Sequence, residues 1–165
     1  MTSPMTNVTQ RVQSLIRQVD TSLPKIHSPA SLLARLYLAN VFFSAGLTKL
    51  RDWDSTLFLF EEEYNVPLLP YELAAYLGTF GELVFPLLLA LGFLTRFSAI
   101  ALSVVNLVAV ISITDIPVAA LYLHVIWGVL LLQLAIYGSG LFSVDAVIEK
   151  RWPEFLNPHS TGVRP

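Results

Sequence analysis

Tyr71–Gly92 reads Y-E-L-A-A-Y-L-G-T-F-G-E-L-V-F-P-L-L-L-A-L-G, with Glu82 near its middle. A helix of that length crosses the hydrocarbon core of a bilayer, which takes about 20 apolar residues. A carboxylate near mid-membrane costs roughly 2.5–3.5 kcal/mol on insertion scales, so a polar partner, a proton or a ligand must offset it. The stretch thus implies a membrane protein whose interior holds a polar site.

Working outward, three more apolar segments stand out: Ser31–Leu50, Phe97–Thr114 and Pro117–Tyr137. Each is near spanning length. The connections Phe93–Arg96 and Asp115–Ile116 are short enough to force antiparallel neighbours. The expected fold is all-α: a polytopic membrane protein built as a four-helix up-and-down transmembrane bundle over residues 31–145. Residues 1–30 are expected to form a cytoplasmic amphipathic or flexible segment, and residues 146–165 a cytoplasmic tail. In the first, Val8, Val12, Leu15, Ile16, Val19 and Leu23 share one helical face. Between the first two spans, Asp52–Pro70 reads D-W-D-S-T-L-F-L-F-E-E-E-Y-N-V-P-L-L-P. A short interfacial helix is expected there, ending before Val66-Pro67.

Composition agrees. The chain is 55% hydrophobic and 13% charged, whereas a soluble domain carries about twice that charged share. A net charge of −2 and the absence of a basic stripe argue against a nucleic-acid partner. With no cysteine, thiolate nucleophiles, CxxC redox chemistry and cysteine-ligated clusters are excluded. His27 and His159 fall outside the expected spans, so one chain cannot supply two axial histidines to a haem. Met1–Pro29 lacks the apolar core of a signal peptide, so the first span is expected to direct insertion and to be retained. Of the 10 Lys and Arg residues, only Lys49 and Arg51 fall outside if the N-terminus is cytoplasmic. That bias implies an N-in, C-in orientation, with the acidic loop on the outer face.

Helical rise sets depths. Asn40 lies roughly 14 Å from the inner end of its span, and Glu82 and Asn106 roughly 15 Å. His124 lies about one turn further out. Spacing sets faces. Ala75, Gly78, Glu82, Phe85, Leu89, Gly92 and Arg96 form one stripe. His124, Gly128, Leu131, Ala135 and Gly138 form a second; Arg35, Ala39, Phe42, Gly46 and Lys49 form a third. Small residues beside an ionisable one mark the faces that meet inside a bundle. Glu82 and His124 are therefore expected to point inward, with Asn40 and Asn106 orienting them. Asn40, Asn106 and Gln133 also read as interhelical hydrogen-bonding residues. Arg35 and Lys49 read as interfacial anchors, Arg35 by snorkelling. Glu82 is expected to be neutral or hydrogen-bonded rather than fixed in an ion pair. Glu61, Glu62 and Glu63 point 100° apart on a helix, so they read as a solvated face rather than a shared ion site.

These residues resemble the DoxX family of small four-helix membrane proteins. The first span resembles its R…F…G…K pattern through Arg35, Phe43, Gly46 and Lys49. The second resembles its E…G…L-T-R pattern through Glu82, Gly92, Thr95 and Arg96. The end resembles its G-x-G-x-x-S-x-D signature through Gly138, Gly140, Ser143 and Asp145. Phe58–Thr79 is similar to a proteobacterial subgroup encoded beside small metal-stress peptides. That subgroup commonly has a histidine near position 82, where this chain reads Gly81-Glu82-Leu83-Val84-Phe85-Pro86. The resemblance implies a bacterial inner-membrane location and an accessory role in quinone-linked electron transfer or in metal or oxidative stress. A quinone is the cofactor it implies, held with Glu82, His124, Asn40 and Asn106. A membrane or periplasmic partner would meet Trp53, Glu61, Glu62, Glu63 and Tyr64, and an oligomer is compatible. No residue set forms a nucleophile with a positioned base, so the chain is not read as catalytic alone, and no metal site is assigned. Two alternatives stay open: a small transporter or metal-handling protein using His124 with Glu72 or Asp115, and a scaffold docking a partner through Trp53–Tyr64.

Overall fold

The computed structural model describes the backbone of residues 4–151 and the side chains of residues 26–151. Six helices follow in order: α1 (Pro4–Arg51), α2 (Trp53–Glu62), α3 (Tyr71–Leu91), α4 (Thr95–Ser112), α5 (Val118–Tyr137) and α6 (Val144–Arg151). Four have the length and composition to span: Ile26–Arg51 within α1, then α3, α4 and α5. The burial of Val8–Leu23 and the tail beyond residue 151 lie outside the described residues.

Local chemistry sets the helix ends. Pro70 and Pro117 stand just ahead of α3 and α5 in extended backbone, which the ring-locked φ of proline favours. α3 ends at Gly92, whose φ of +67° lets its amide turn back onto the Leu88 and Leu89 carbonyls. Pro86 lies inside α3 and removes one backbone hydrogen bond, as spanning helices tolerate.

α3 packs between α1 and α4, α4 packs on α5, and α5 returns to α1 over a shorter stretch. Leu38, Phe42, Leu89, Ala99, Leu102, Leu131 and Leu134 fill the centre. α2 folds back onto α3 and buries Phe60 against Ala74 and Ala75. Outward faces stay apolar, as at Leu33, Phe80, Leu107 and Val129. In water those faces would be an aggregation liability; in a bilayer the lipid covers them. The protein is a multi-pass membrane protein, an all-α four-span bundle.

One expectation about α1 fails. Arg35 does not snorkel: it is 0% exposed, because the 138–143 loop folds over the end of the bundle and adds the Phe142 carbonyl to the two that α3 offers at its end.

Candidate functional site

The polar residues gather at two levels. At one end, the Arg35 guanidinium donates to the Leu89 and Ala90 carbonyls at 3.3 and 3.1 Å, and to the Phe142 carbonyl. Two of these carbonyls end α3, where the helix dipole is negative. The Asp145 carboxylate accepts from the Leu94 and Thr95 amides at 2.9 and 3.0 Å, capping the exposed start of α4 from another segment. Its own amide donates to the Gly92 carbonyl. Ser31 Oγ donates to the Gly138 carbonyl, and Ser139 Oγ donates to Ser143 Oγ. A Cβ on Gly92 would lie 2.3 Å from Arg35 Nη1, so only glycine fits. Arg35, Gly92, Thr95, Gly138, Ser143 and Asp145 thus form one fastening, which ties the α3–α4 turn to the chain after α5.

Toward the other end lies a chamber of about 500 Å³, walled by all four spans and by α2. Its walls are mainly apolar, among them Phe42, Phe60, Val105 and Trp127, with Lys49, Tyr64, Glu82, Ser112 and His124 as its polar members. Lys49 Nζ donates to Glu82 Oε2 at 2.5 Å. This corrects two expectations: Glu82 is ion-paired, and Lys49 reaches into the bundle as its partner. The cause is Gly46. A Cβ there would sit 2.9 Å from Leu83 and 3.1 Å from Glu82 Cβ, so α1 and α3 touch at that level. Lys49, one turn on, then reaches the carboxylate. Glu82 is 8% exposed; desolvation on this scale requires the partner that Lys49 supplies.

Asn106 and His124 do come together. Asn106 Nδ2 donates to the His124 carbonyl at 2.9 Å, and His124 Nδ1 lies 2.8 Å from Asn106 Oδ1. With the amide so oriented, Nδ1 carries the proton and Nε2 keeps its lone pair as an acceptor. The ring packs edge-on against Trp127 at 4.8 Å. Asn40 stays apart. It is exposed on the outward stripe with Leu33, Tyr37 and Ser44. It also lies six residues before Gly46, which is level with Glu82, hence roughly 9 Å away along the axis. Counting depth from residue 31 misjudged the level, because α1 runs on past the end of α3: Arg35, not Ser31, is the residue that meets the Leu89 and Ala90 carbonyls there. Gln133 is half-buried.

The 52–66 segment closes the chamber. Asp52 caps α2 by accepting from the Ser55 amide at 3.0 Å and the Ser55 hydroxyl at 2.6 Å. That holds its carboxyl below the usual aspartate value. Trp53 is half-buried and packs on Tyr76 at 4.8 Å. Phe58 is exposed, whereas Phe60 is buried and Tyr64 half-buried. The aromatics therefore divide, and only some face outward. Burial pushes the Tyr64 phenol above its ordinary value, helped by the negative charges of Glu63 and Glu82. Tyr64 thus stays a protonated donor near the pair. The Asn65 amide donates to the Ser112 carbonyl at 2.9 Å, and Tyr64 bridges to Ile113. Glu61, Glu62 and Glu63 are exposed. Among the described residues, no three His, Asp or Glu side chains converge as metal ligands would.

The DoxX family model matches residues 30–115. That range contains Arg35, Lys49, Glu82, Gly92 and Thr95; the 138–145 segment lies beyond it. An uncharacterized protein of Haemophilus influenzae is 35% identical over 144 residues, covering 81% of this chain and 93% of the relative. No solved structure matches at a significant level.

Proposed function

The chain belongs to the DoxX family, and on that premise we propose that it is an accessory membrane subunit of a quinone-linked redox or stress system whose chamber holds a quinone head group. The observation that carries this reading is the chamber. A volume of about 500 Å³ lies within the range of roughly 300–1,000 Å³ usual for small-molecule sites, which pair apolar walls with a few placed polar groups. Those groups suit a flat ring with carbonyl or hydroxyl oxygens. Lys49 keeps two N–H donors beyond its bond to Glu82, the Tyr64 phenol is a donor, and His124 Nε2 is an acceptor. A bound quinone would supply the two-electron, two-proton chemistry. The chain's part is to orient the ring, exclude water and hold a proton at Glu82 or Lys49. The exposed Glu61–Glu63 face, with Trp53 and Tyr64 beside it, is where a partner would dock. On the lysine and arginine count, that face is outside the cytoplasm of a bacterial inner membrane.

The test is purification in mild detergent with native lipid, followed by extraction and quantification of quinone. Retention near one quinone per chain, lost in Glu82→Gln, is the expected result. No quinone in either protein, or equal amounts in both, overturns the reading. For orientation, a reporter fused after Arg164 should be active only in the cytoplasm; activity in the periplasm would reverse the topology.

A further inference from the structure

We propose that the chamber opens sideways into the lipid through the cleft between α3 and α4, and that the isoprenoid tail of a quinone leaves the chamber between Leu77 and Val104. This rests on the quinone reading and adds a route and a tail site to it.

Exposure locates the opening. Of the chamber's wall, only Leu69, Leu77 and Val104 are exposed, at 40, 51 and 57%; every other lining residue is buried or half-buried. All three are apolar, and two lie on spanning helices. Packing explains the place. α3 and α4 meet where a Cβ on Gly81 would lie 3.0 Å from Val105 Cγ2. One turn nearer the Lys49 end, Leu77 and Val108 both line the chamber, and Val104, one turn further in, lines it while exposed at the outer edge of the same cleft. The end of the bundle, in contrast, is covered. Phe60 is buried, the Asn65 amide bonds the Ser112 carbonyl, and Tyr64 bridges to Ile113. A ligand entering by the open side comes from the bilayer, past apolar lips, toward buried polar groups. The Ser112 hydroxyl supports the same polarity. It is 3% exposed, lines the chamber and lacks a hydrogen-bond partner. A buried hydroxyl of this kind is costly until something bonds it. The ligand that fits has a polar ring inside and a long apolar tail outside.

Equilibrium binding to the full chain in lipid nanodiscs tests this, using a ubiquinone with its full isoprenoid tail and the tail-less ring. Leu77→Trp and Val104→Trp should weaken the tailed quinone at least about 10-fold while leaving the tail-less ring within about two-fold. Both positions are exposed, so thermal unfolding should match wild type. Leu87→Trp, on an exposed part of α3 away from the cleft, should change neither ligand. Equal loss of both quinones, or no loss of either, overturns the portal while leaving the quinone reading intact. Failure of wild type to bind either quinone ends both.

Discussion

Arg35 and Lys49 share one face of α1, about four turns apart, and their surroundings differ. Arg35 is wholly buried and spreads its donors over three backbone carbonyls that end one helix and a loop. Asp145 acts on it electrostatically from the same knot. Lys49 is partly exposed, meets one carboxylate and borders an apolar chamber. A cation that ties three carbonyls of its own chain, away from the chamber wall, holds segments together. A cation with donors to spare beside a chamber can hold something else. Conserving the charge while changing the donor geometry should therefore damage the first site and spare the fold at the second.

The largest effects are expected at the Arg35 knot. Gly92→Ala combines a left-handed backbone with a clash against Arg35 and Ser143, at roughly 2–5 kcal/mol. Arg35→Met takes the Arg35 donor from the Ala90 and Phe142 carbonyls, at roughly 1–3 kcal/mol each, while the Leu89 carbonyl keeps the Gly92 amide. Thermal unfolding in detergent should show both variants severely destabilised. Near-wild-type melting of Arg35→Met would erase the distinction between the two cations. Asp145→Ala, which uncaps α4, should cost about 1 kcal/mol by the same assay.

At the Lys49 level the expected effect on stability is small. Glu82→Gln keeps an acceptor for Lys49 and should melt within about 1 kcal/mol of wild type. The double variant Lys49→Met with Glu82→Leu replaces the pair with apolar side chains and should be equally stable, since buried pairs break even against such replacements. Both variants should lose quinone. A collapse of the double variant would make the pair a second fastening.

The smallest effect lies at the α2 cap. The Asp52 carboxyl is lowered from 3.8 by its bonds to Ser55. A depressed carboxylate stabilises fully above its free value and loses that contribution as pH falls through its folded value. Hydrogen-exchange protection at the Ser55 amide should be constant above pH 3.8 and fall only below it; Asp52→Ala should abolish it at every pH. Protection unchanged in that variant would remove Asp52 as the cap.

The spans were legible because length and apolarity dominate in a membrane: the expected starts and ends of α3, α4 and α5 fall within two residues of those observed. The inward faces of Glu82 and His124 followed from three-and-four spacing. The partners did not. That Lys49 reaches Glu82 depends on how far α1 slides along α3, which Gly46 sets by close approach and no single-helix pattern reveals. Asn40 was assigned to the site from a depth counted from the wrong residue. Arg35 looked interfacial because the loop that buries it follows α5, more than a hundred residues later. Its family-like residues, Gly138, Ser143 and Asp145, were visible in the sequence, but their role as its cover required the fold. The 52–70 segment read as interfacial throughout, because composition cannot tell which rings, here Phe60 and Tyr64, the chain turns inward.

Trp127 lines the chamber and rests against His124, so it reports on the ligand directly. Replacing Trp53 and Trp152 with Phe leaves it as the sole indole. Titrating that protein with a tail-less quinone while following its fluorescence tests the central claim. Saturable quenching that becomes linear and collisional in the Glu82→Gln background, at unchanged thermal stability, is the result this account predicts. The same saturable curve in both backgrounds, or a purely collisional one in both, would contradict it.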